Sequence, residues 1–156
     1  MNIEYLMVLE DSIPGFFLRP KDRSMMVWKG VVRGPRNTPY YGYEFDLEIT
    51  IPPLYPEQNP SGRFVTPIYH PNIHWTSLDI CLGILNRTKR QGFEDGWSPD
   101  YSLVVVQRAI LFLLSNPRPE DAYNVEAANL YINDRQEFER RAREYCKMFA
   151  RRVPTS

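Results

Sequence analysis

The sequence predicts a single α+β domain over residues 1–156, in which helices pack on one face of an antiparallel β-meander. Alternating hydrophobic segments come first, short turns separate them, and after about residue 100 the hydrophobic period becomes helical. Strands that precede helices, rather than alternate with them, are typical of this fold class. A chain of 156 residues is also long enough for one hydrophobic core.

The first half of the chain predicts one helix and three strands. Apolar residues at helical spacing favour an amphipathic helix over residues 1–12, ended by the Pro-Gly pair that follows. An apolar run predicts a strand at 25–32, and strict alternation predicts the clearest strand at 43–51. A proline-rich connection then leads to a third, short strand at 63–66. Tight turns between these strands favour antiparallel pairing.

The second half predicts three helices. Residues 103–114 are almost wholly apolar and fit a buried helix, although the three valines inside this segment could equally begin a strand. Residues 125–132 predict a second helix. Asp134 and Glu137 form a capping-box pattern, so a last helix follows and ends at about residue 151.

Composition excludes several functional classes. Basic and acidic residues number 19 each, whereas nucleic-acid binders normally carry a basic excess, so no nucleic-acid partner is expected. The two cysteines, Cys81 and Cys146, lie far apart and favour a reducing compartment. The start of the chain is acidic and has no long apolar run, which predicts neither a signal peptide nor a membrane span. We expect a cytoplasmic location, with a nuclear one also open in a eukaryote.

Cys81 is the residue with the clearest chemical interest. It follows His70-Pro71-Asn72 by nine residues and precedes Trp97-Ser98-Pro99 by sixteen. A thiol beside an amide donor suits the holding and passing on of an acyl group. Because no proton-accepting triad is evident, hydrolysis fits less well. A cysteine that merely packs as a small hydrophobe is the plainer alternative.

A set of short motifs occurs in order between Trp28 and Ala150. They are Trp28-Lys29-Gly30, Gly34-Pro35, Thr38-Pro39-Tyr40-Tyr41-Gly42, Tyr55-Pro56, His70-Pro71-Asn72-Ile73, Ile80-Cys81-Leu82, Trp97-Ser98-Pro99, Asn116-Pro117 and Asn124-Val125-Glu126-Ala127-Ala128. This ordered set resembles the ubiquitin-conjugating enzymes. The resemblance implies a four-stranded antiparallel meander flanked by an N-terminal helix, a central helix and two C-terminal helices. It places the fourth strand near residues 75–82.

The resemblance also implies a catalytic group. Cys81 matches the cysteine that carries the modifier as a thioester, and Asn72 matches the asparagine proposed to donate to the oxyanion. Asparagine can instead fix its own loop through backbone hydrogen bonds, and both roles can hold together. Asp121 matches an acid that orients the incoming lysine and eases its deprotonation. A solvated aspartate at a helix start is the alternative. The neighbouring Glu120 is the other candidate for this acid.

Other site positions follow from the same resemblance. His70 and Pro71 are expected to support the site loop, and Tyr123 to line the entrance. His74 is expected to be an exposed loop residue without a family role. The histidines and cysteines lack zinc-ligand spacing, so no metal site is predicted.

The chain departs from the family pattern in places that face partners. No basic residue precedes Arg19, although many members dock on the activating enzyme through a basic first helix. Glu57 and Asp100 stand where an apolar or aromatic residue and a small residue commonly face the ligase, while Pro99 is retained. Residues 86–96 lengthen the segment after the cysteine and resemble loop insertions of chain-building members.

The sequence therefore predicts a ubiquitin or ubiquitin-like conjugating enzyme. Its expected partners are the modifier, an activating enzyme, a RING-type or other ligase and substrate lysines; no cofactor is expected. One rival is an inactive variant that only binds ubiquitin. A second is a cysteine hydrolase using Cys81 with His70 or His74 and Asp121, which requires a thiol of depressed pKa. We expect a near-normal pKa for Cys81.

Overall fold

Five strands and four helices make up the described parts of the computed structural model, residues 3–83 and 96–154. The strands are β1 (Phe16–Pro20), β2 (Val27–Arg33), β3 (Tyr43–Thr50), β4 (Ser61–Phe64) and β5 (Arg151–Arg152). The helices are α1 (Ile3–Glu10), α2 (Leu103–Ser115), α3 (Val125–Asn133) and α4 (Arg135–Phe149), and one 3₁₀ turn spans Pro119–Asp121. The α+β fold class is thereby confirmed.

The first four strands form the antiparallel meander β1-β2-β3-β4. Val32 lies opposite Phe16 on one side and Phe45 on the other, and Leu47 lies opposite Phe64. Along β3 buried residues alternate with half-buried ones, as the period of two predicts. The buried face packs against the helices, and one hydrophobic cluster joins the sheet to α1, α2, α3 and α4.

The position expected for the fourth strand, near residues 75–82, is wrong. The strand lies at β1 instead, at the edge of the sheet, where its terminal Pro20 is tolerated. Residues 75–82 make only isolated bridges, such as Ile73 with Ile80. A turn interrupts this segment because the His74 ring accepts backbone N–H groups two and three residues on, and Leu78 has a left-handed φ of 64°.

The three predicted helices of the second half are confirmed, with one correction at the C-terminus. The valines of α2 are helical, so the strand alternative for them is wrong. Asp134 caps α4 by accepting the N–H of Glu137 at 3.3 Å. The helix ends at Phe149, short of residue 151, because Arg151 pairs with β3 instead and donates two hydrogen bonds of 2.8 Å to Asp46.

The remaining predictions on chain organisation have mixed outcomes. The N-terminal helix is confirmed as α1. Among residues 3–83 and 96–154, every helix is too short or too polar to cross a membrane. The lengthened segment 86–96 falls almost wholly outside the described residues.

Candidate active site

Cys81 is held by its backbone and leaves its side chain partly exposed. Its N–H donates to the carbonyl of Asn72 at 2.8 Å. The neighbouring Ile80 donates to Gly62 at 3.0 Å, and the side chains of Ile80 and Leu82 are buried on either side. A fixed backbone with an accessible thiol suits a nucleophile that must meet large partners.

Asn72 is fully buried, and its side chain spans to the 3₁₀ turn. Its Nδ2 donates to the carbonyl of Arg118 at 2.8 Å and to that of Asp121 at 3.0 Å. Its Oδ1 accepts the N–H of Arg118 at 2.8 Å. Both hydrogens of the amide group are therefore engaged with backbone. This arrangement ties the Cys81 loop to the loop that carries Asp121.

Asp121 lies at this second loop with its carboxylate facing Arg118. The Arg118 guanidinium is 3.6 Å from an Asp121 oxygen and 3.4 Å from a Glu120 oxygen. Glu120 is exposed, whereas Asp121 is half-buried. Two interactions thus hold Asp121 in position: its carbonyl accepts a hydrogen bond from Asn72, and its carboxylate forms an ion pair with Arg118.

His70 is buried and engaged at both ring nitrogens. Nε2 donates to the carbonyl of Leu113 at 2.9 Å, and Nδ1 accepts the N–H of Asn72 at 3.0 Å. Burial lowers the pKa of His70 to about 4, so the ring is neutral near pH 7. A neutral ring with both nitrogens occupied is unsuited to act as a base for the thiol. Pro71 contributes its carbonyl, which accepts the N–H groups of Tyr123 and Asn124.

An aromatic group stands beside the thiol. The His74 ring meets the Tyr123 ring edge-on at 6.3 Å and stacks on Trp75 at 6.1 Å. Burial, then the charge and hydrogen bond of Cys81, then Asp79, raise the pKa of Tyr123. Trp75 is 69% exposed, and Tyr123 is 43% exposed. Trp75, His74 and Tyr123 thus form a row of contacting rings.

The positions expected to face a ligase lie on two loops that contact each other. Trp97 Nε1 donates to the carbonyl of Pro56 at 2.6 Å, which joins the loops. Glu57 is exposed on one loop, and Pro99 and Asp100 are exposed on the other. The structure therefore joins the two loops that carry these three exposed residues.

Sequence reasoning missed Arg118. Its backbone bonds to both ends of the Asn72 amide, and its side chain contacts two acids. The available signal was its place between two prolines, Pro117 and Pro119, three residues before Asp121. Cys146, by contrast, is buried as expected, and burial raises its pKa to about 12.

Comparison with known proteins decides the family. A family model described as ubiquitin-conjugating enzyme matches residues 1–146. The chain belongs to the ubiquitin-conjugating enzyme family. A probable ubiquitin-conjugating enzyme of Acanthamoeba polyphaga mimivirus is 37% identical over 85% of the chain and 78% of the relative.

Two further relatives match more of the chain. The ubiquitin-conjugating enzyme pex4 of Dictyostelium discoideum is 36% identical over 94% of both proteins. Protein PEROXIN-4 of Arabidopsis thaliana is 35% identical over 94% of the chain and 90% of the relative. A conjugating function follows for this chain, since enzymes of this family form thioester intermediates and transfer ubiquitin. They work with ubiquitin, an activating enzyme and ligases.

Proposed function

We propose that Cys81 receives ubiquitin or a ubiquitin-like modifier from an activating enzyme by transthiolation. The modifier then passes to a lysine amine of a substrate, with a ligase bringing the two together. The observation that carries this proposal is the partly exposed thiol on a backbone hydrogen-bonded to the Asn72 carbonyl. A thioester suits this task because it stays reactive toward amines and has a good leaving group.

Asn72 and Asp121 support the transfer in different ways. The buried Asn72 amide fixes the loop of residues 118–121 against the Cys81 loop. Asp121, held in that loop, orients the incoming lysine and eases loss of its proton. His70 and Pro71 keep the loop in place through the hydrogen bonds described above. Donation by Asn72 to an oxyanion would require one of its two backbone hydrogen bonds to break.

The ligase surface consists of Glu57, Pro99 and Asp100 in this proposal. Two carboxylates on this surface favour a ligase that offers basic side chains, because charge complementarity governs encounter and partner choice. A cytoplasmic location fits the two cysteines, Cys81 and Cys146, which form no disulfide with each other. One domain over residues 1–156 fits the hydrophobic cluster that, among the described residues, the sheet and the helices share.

The hydrolase alternative finds little support. It needs an imidazole nitrogen available to the thiol, and both nitrogens of His70 are engaged elsewhere. The His74 Nδ1 accepts backbone N–H groups of its own turn. The inactive-variant alternative requires a site without a usable thiol, and Cys81 is present and accessible.

A charging assay tests the proposal. The protein is incubated with an activating enzyme, modifier and ATP, and then run on gels with and without reductant. We expect a modifier-sized adduct that reductant removes and that Cys81→Ala abolishes. Cys146→Ala is the matched control and should retain the adduct, because that thiol is buried. An adduct that survives Cys81→Ala, or its absence with activating enzymes shown to charge their own partners, would overturn the assignment.

A further inference from the structure

Arg118 meets the candidate site in two ways, through its backbone and through its side chain. Its N–H donates to Asn72 Oδ1 and its carbonyl accepts from Asn72 Nδ2, at 2.8 Å each. Its guanidinium faces Asp121, with Nη2 at 3.6 Å from Oδ2 of that carboxylate. Because the two contacts use different atoms, a side-chain substitution removes the ion pair and keeps the backbone atoms that bond to Asn72.

The backbone gives the Arg118 side chain a fixed base. Arg118 stands between Pro117 and Pro119, and its φ of −115° and ψ of 83° lie outside the helical region, which a following proline disfavours. The N–H of Asp121 donates to the Arg118 carbonyl at 3.0 Å. One tight turn therefore joins the residue that bears the guanidinium to the residue that bears the carboxylate.

The ion pair is partly sheltered from solvent. Arg118 lines a cavity of about 440 Å³ together with Leu82-Gly83, the segment that directly follows Cys81. The side chain of Arg118 is 35% exposed and that of Asp121 26% exposed. The contact with Glu120 is shorter, at 3.4 Å, but that acid is 64% exposed, and exposed pairs contribute little. Asp121 is therefore the acid on which the charge of Arg118 has the greater effect.

A guanidinium beside a carboxylate can hold it in place or compete with an incoming ammonium for it. A carboxylate offers about four acceptor sites over its two oxygens, so one guanidinium contact does not exhaust it. A carboxylate that is oriented before the lysine arrives also removes that ordering cost from the transfer step. Positioning is therefore the effect that we expect to dominate.

We infer that Arg118 is a positioning residue, whose guanidinium holds the Asp121 carboxylate in the orientation that receives the acceptor lysine. This inference rests on the proposed function, in which Asp121 orients that lysine. The lysine ammonium first releases a proton to solvent, and the neutral nitrogen then attacks the thioester carbonyl carbon. The C–N bond forms, the C–S bond breaks with its electron pair on Cys81 Sγ, and the nitrogen releases a second proton to solvent. Arg118 keeps its charge throughout.

The test removes the charge and keeps an unbranched stem, in Arg118→Met. The charged enzyme is discharged onto free lysine in a single turnover near pH 7. We expect discharge about threefold to fivefold slower than in the parent, which is the scale of one partly exposed ion pair. Arg118→Lys restores the charge and should recover most of the rate. Arg140→Met, which removes an arginine from an exposed ion pair with Glu137 on α4, is the matched control and should discharge at the parent rate.

A second nucleophile separates positioning from general damage to the site. Hydroxylamine is neutral near pH 7 and offers no ammonium to orient, so Arg118→Met should discharge onto it at the parent rate. In an Asp121→Ala background, Arg118→Met should leave lysine discharge unchanged, because a residue that acts through Asp121 then has nothing to position.

These results, together with slower lysine discharge in Arg118→Met and its recovery in Arg118→Lys, support the inference. A lysine rate in Arg118→Met that equals or exceeds that of the parent overturns it. An equal loss onto hydroxylamine, a further loss in the Asp121→Ala background, or no recovery in Arg118→Lys overturns it as well.

The two proposals fail in distinguishable ways. If the parent forms no reductant-sensitive adduct, the carrier function of Cys81 fails. Urea unfolding of Arg118→Met, Asp121→Ala and the double variant then tests the ion pair on the uncharged protein, and strictly additive losses exclude the coupling. If the parent charges and Arg118→Met discharges like the parent, the carrier function stands and the role of Arg118 falls.

Discussion

The carboxylate of Glu4 on α1 accepts the N–H of Leu103, the first residue of α2, at 3.0 Å. Its other oxygen accepts the hydroxyl of Tyr55 at 2.5 Å. Ser102 precedes α2 without making a side-chain cap bond, so the helix is capped from another helix. A carboxylate at this end also interacts favourably with the helix dipole. Glu4 therefore connects α1, α2 and the loop that carries Glu57.

Replacing Glu4 should destabilise the protein. Glu4→Ala removes the cap of α2 and the partner of Tyr55, and we expect a loss of roughly 1–2 kcal/mol in the free energy of unfolding. Glu10→Ala is the matched control, because that acid is exposed at the C-terminal end of α1. Urea unfolding of the two variants provides the comparison. Equal losses would mean that the contact with Leu103 contributes nothing measurable.

Asn72→Ala should lower stability as well as slow the transfer. The substitution leaves two carbonyls and one backbone N–H near the site without their partner, and we expect a loss of roughly 1–3 kcal/mol. Asn116 is exposed in the segment between α2 and the 3₁₀ turn, so Asn116→Ala is a suitable control for an asparagine substitution. Urea midpoints and single-turnover lysine discharge are measured on both variants. Slower discharge with unchanged stability would instead favour donation to an oxyanion, and unchanged discharge would exclude that donation.

Asp121→Ala should slow lysine discharge most near neutral pH. An amine must lose its proton before it attacks, and a lysine with a pKa near 10.4 does so unaided only at higher pH. We expect a loss of roughly tenfold to a hundredfold at neutral pH that recovers as pH rises. Glu120→Ala removes the same charge from an exposed neighbour and should change the rate little. A loss that is uniform with pH argues for a purely structural aspartate.

The elements that sequence predicts well are those whose signal lies within the element. β3 alternates over eight residues, α2 is almost wholly apolar, and the Asp134 cap lies three residues from its partner Glu137. β1 is short and ends in proline, so its strand character comes from pairing with β2 and not from its own pattern.

The candidate site divides in the same way. The motifs and the family resemblance point to Cys81, Asn72 and Asp121 as candidates, and the structure ties together the loops that carry them. The part played by Arg118 depends on a backbone contact across 46 positions. The capping of α2 by Glu4 spans 99 positions, so α1, which the sequence predicts only as an amphipathic helix, also caps a helix of the core. Such contacts arise from tertiary packing and leave no local pattern.

His70 gives the protein a pH dependence of stability whose sign follows from its burial. Its pKa is about 4 in the folded protein and near 6.5 when exposed, so the unfolded chain binds a proton first as pH falls. The stabilisation from neutral His70 is complete above about pH 6.5 and declines toward pH 4. Integrated over that range, the loss is roughly 3 kcal/mol.

His70→Gln isolates this contribution. Its amide can still donate to the Leu113 carbonyl but does not titrate, so the variant should lose less stability than the parent between pH 7 and pH 4.5. Paired carboxylates such as Asp46, whose pKa is lowered by Arg151, also lose stabilisation in acid, and they do so equally in both proteins. Subtracting the two urea-midpoint profiles therefore leaves the histidine alone. Parallel profiles would mean that His70 binds its proton as readily in the folded protein as in the unfolded chain.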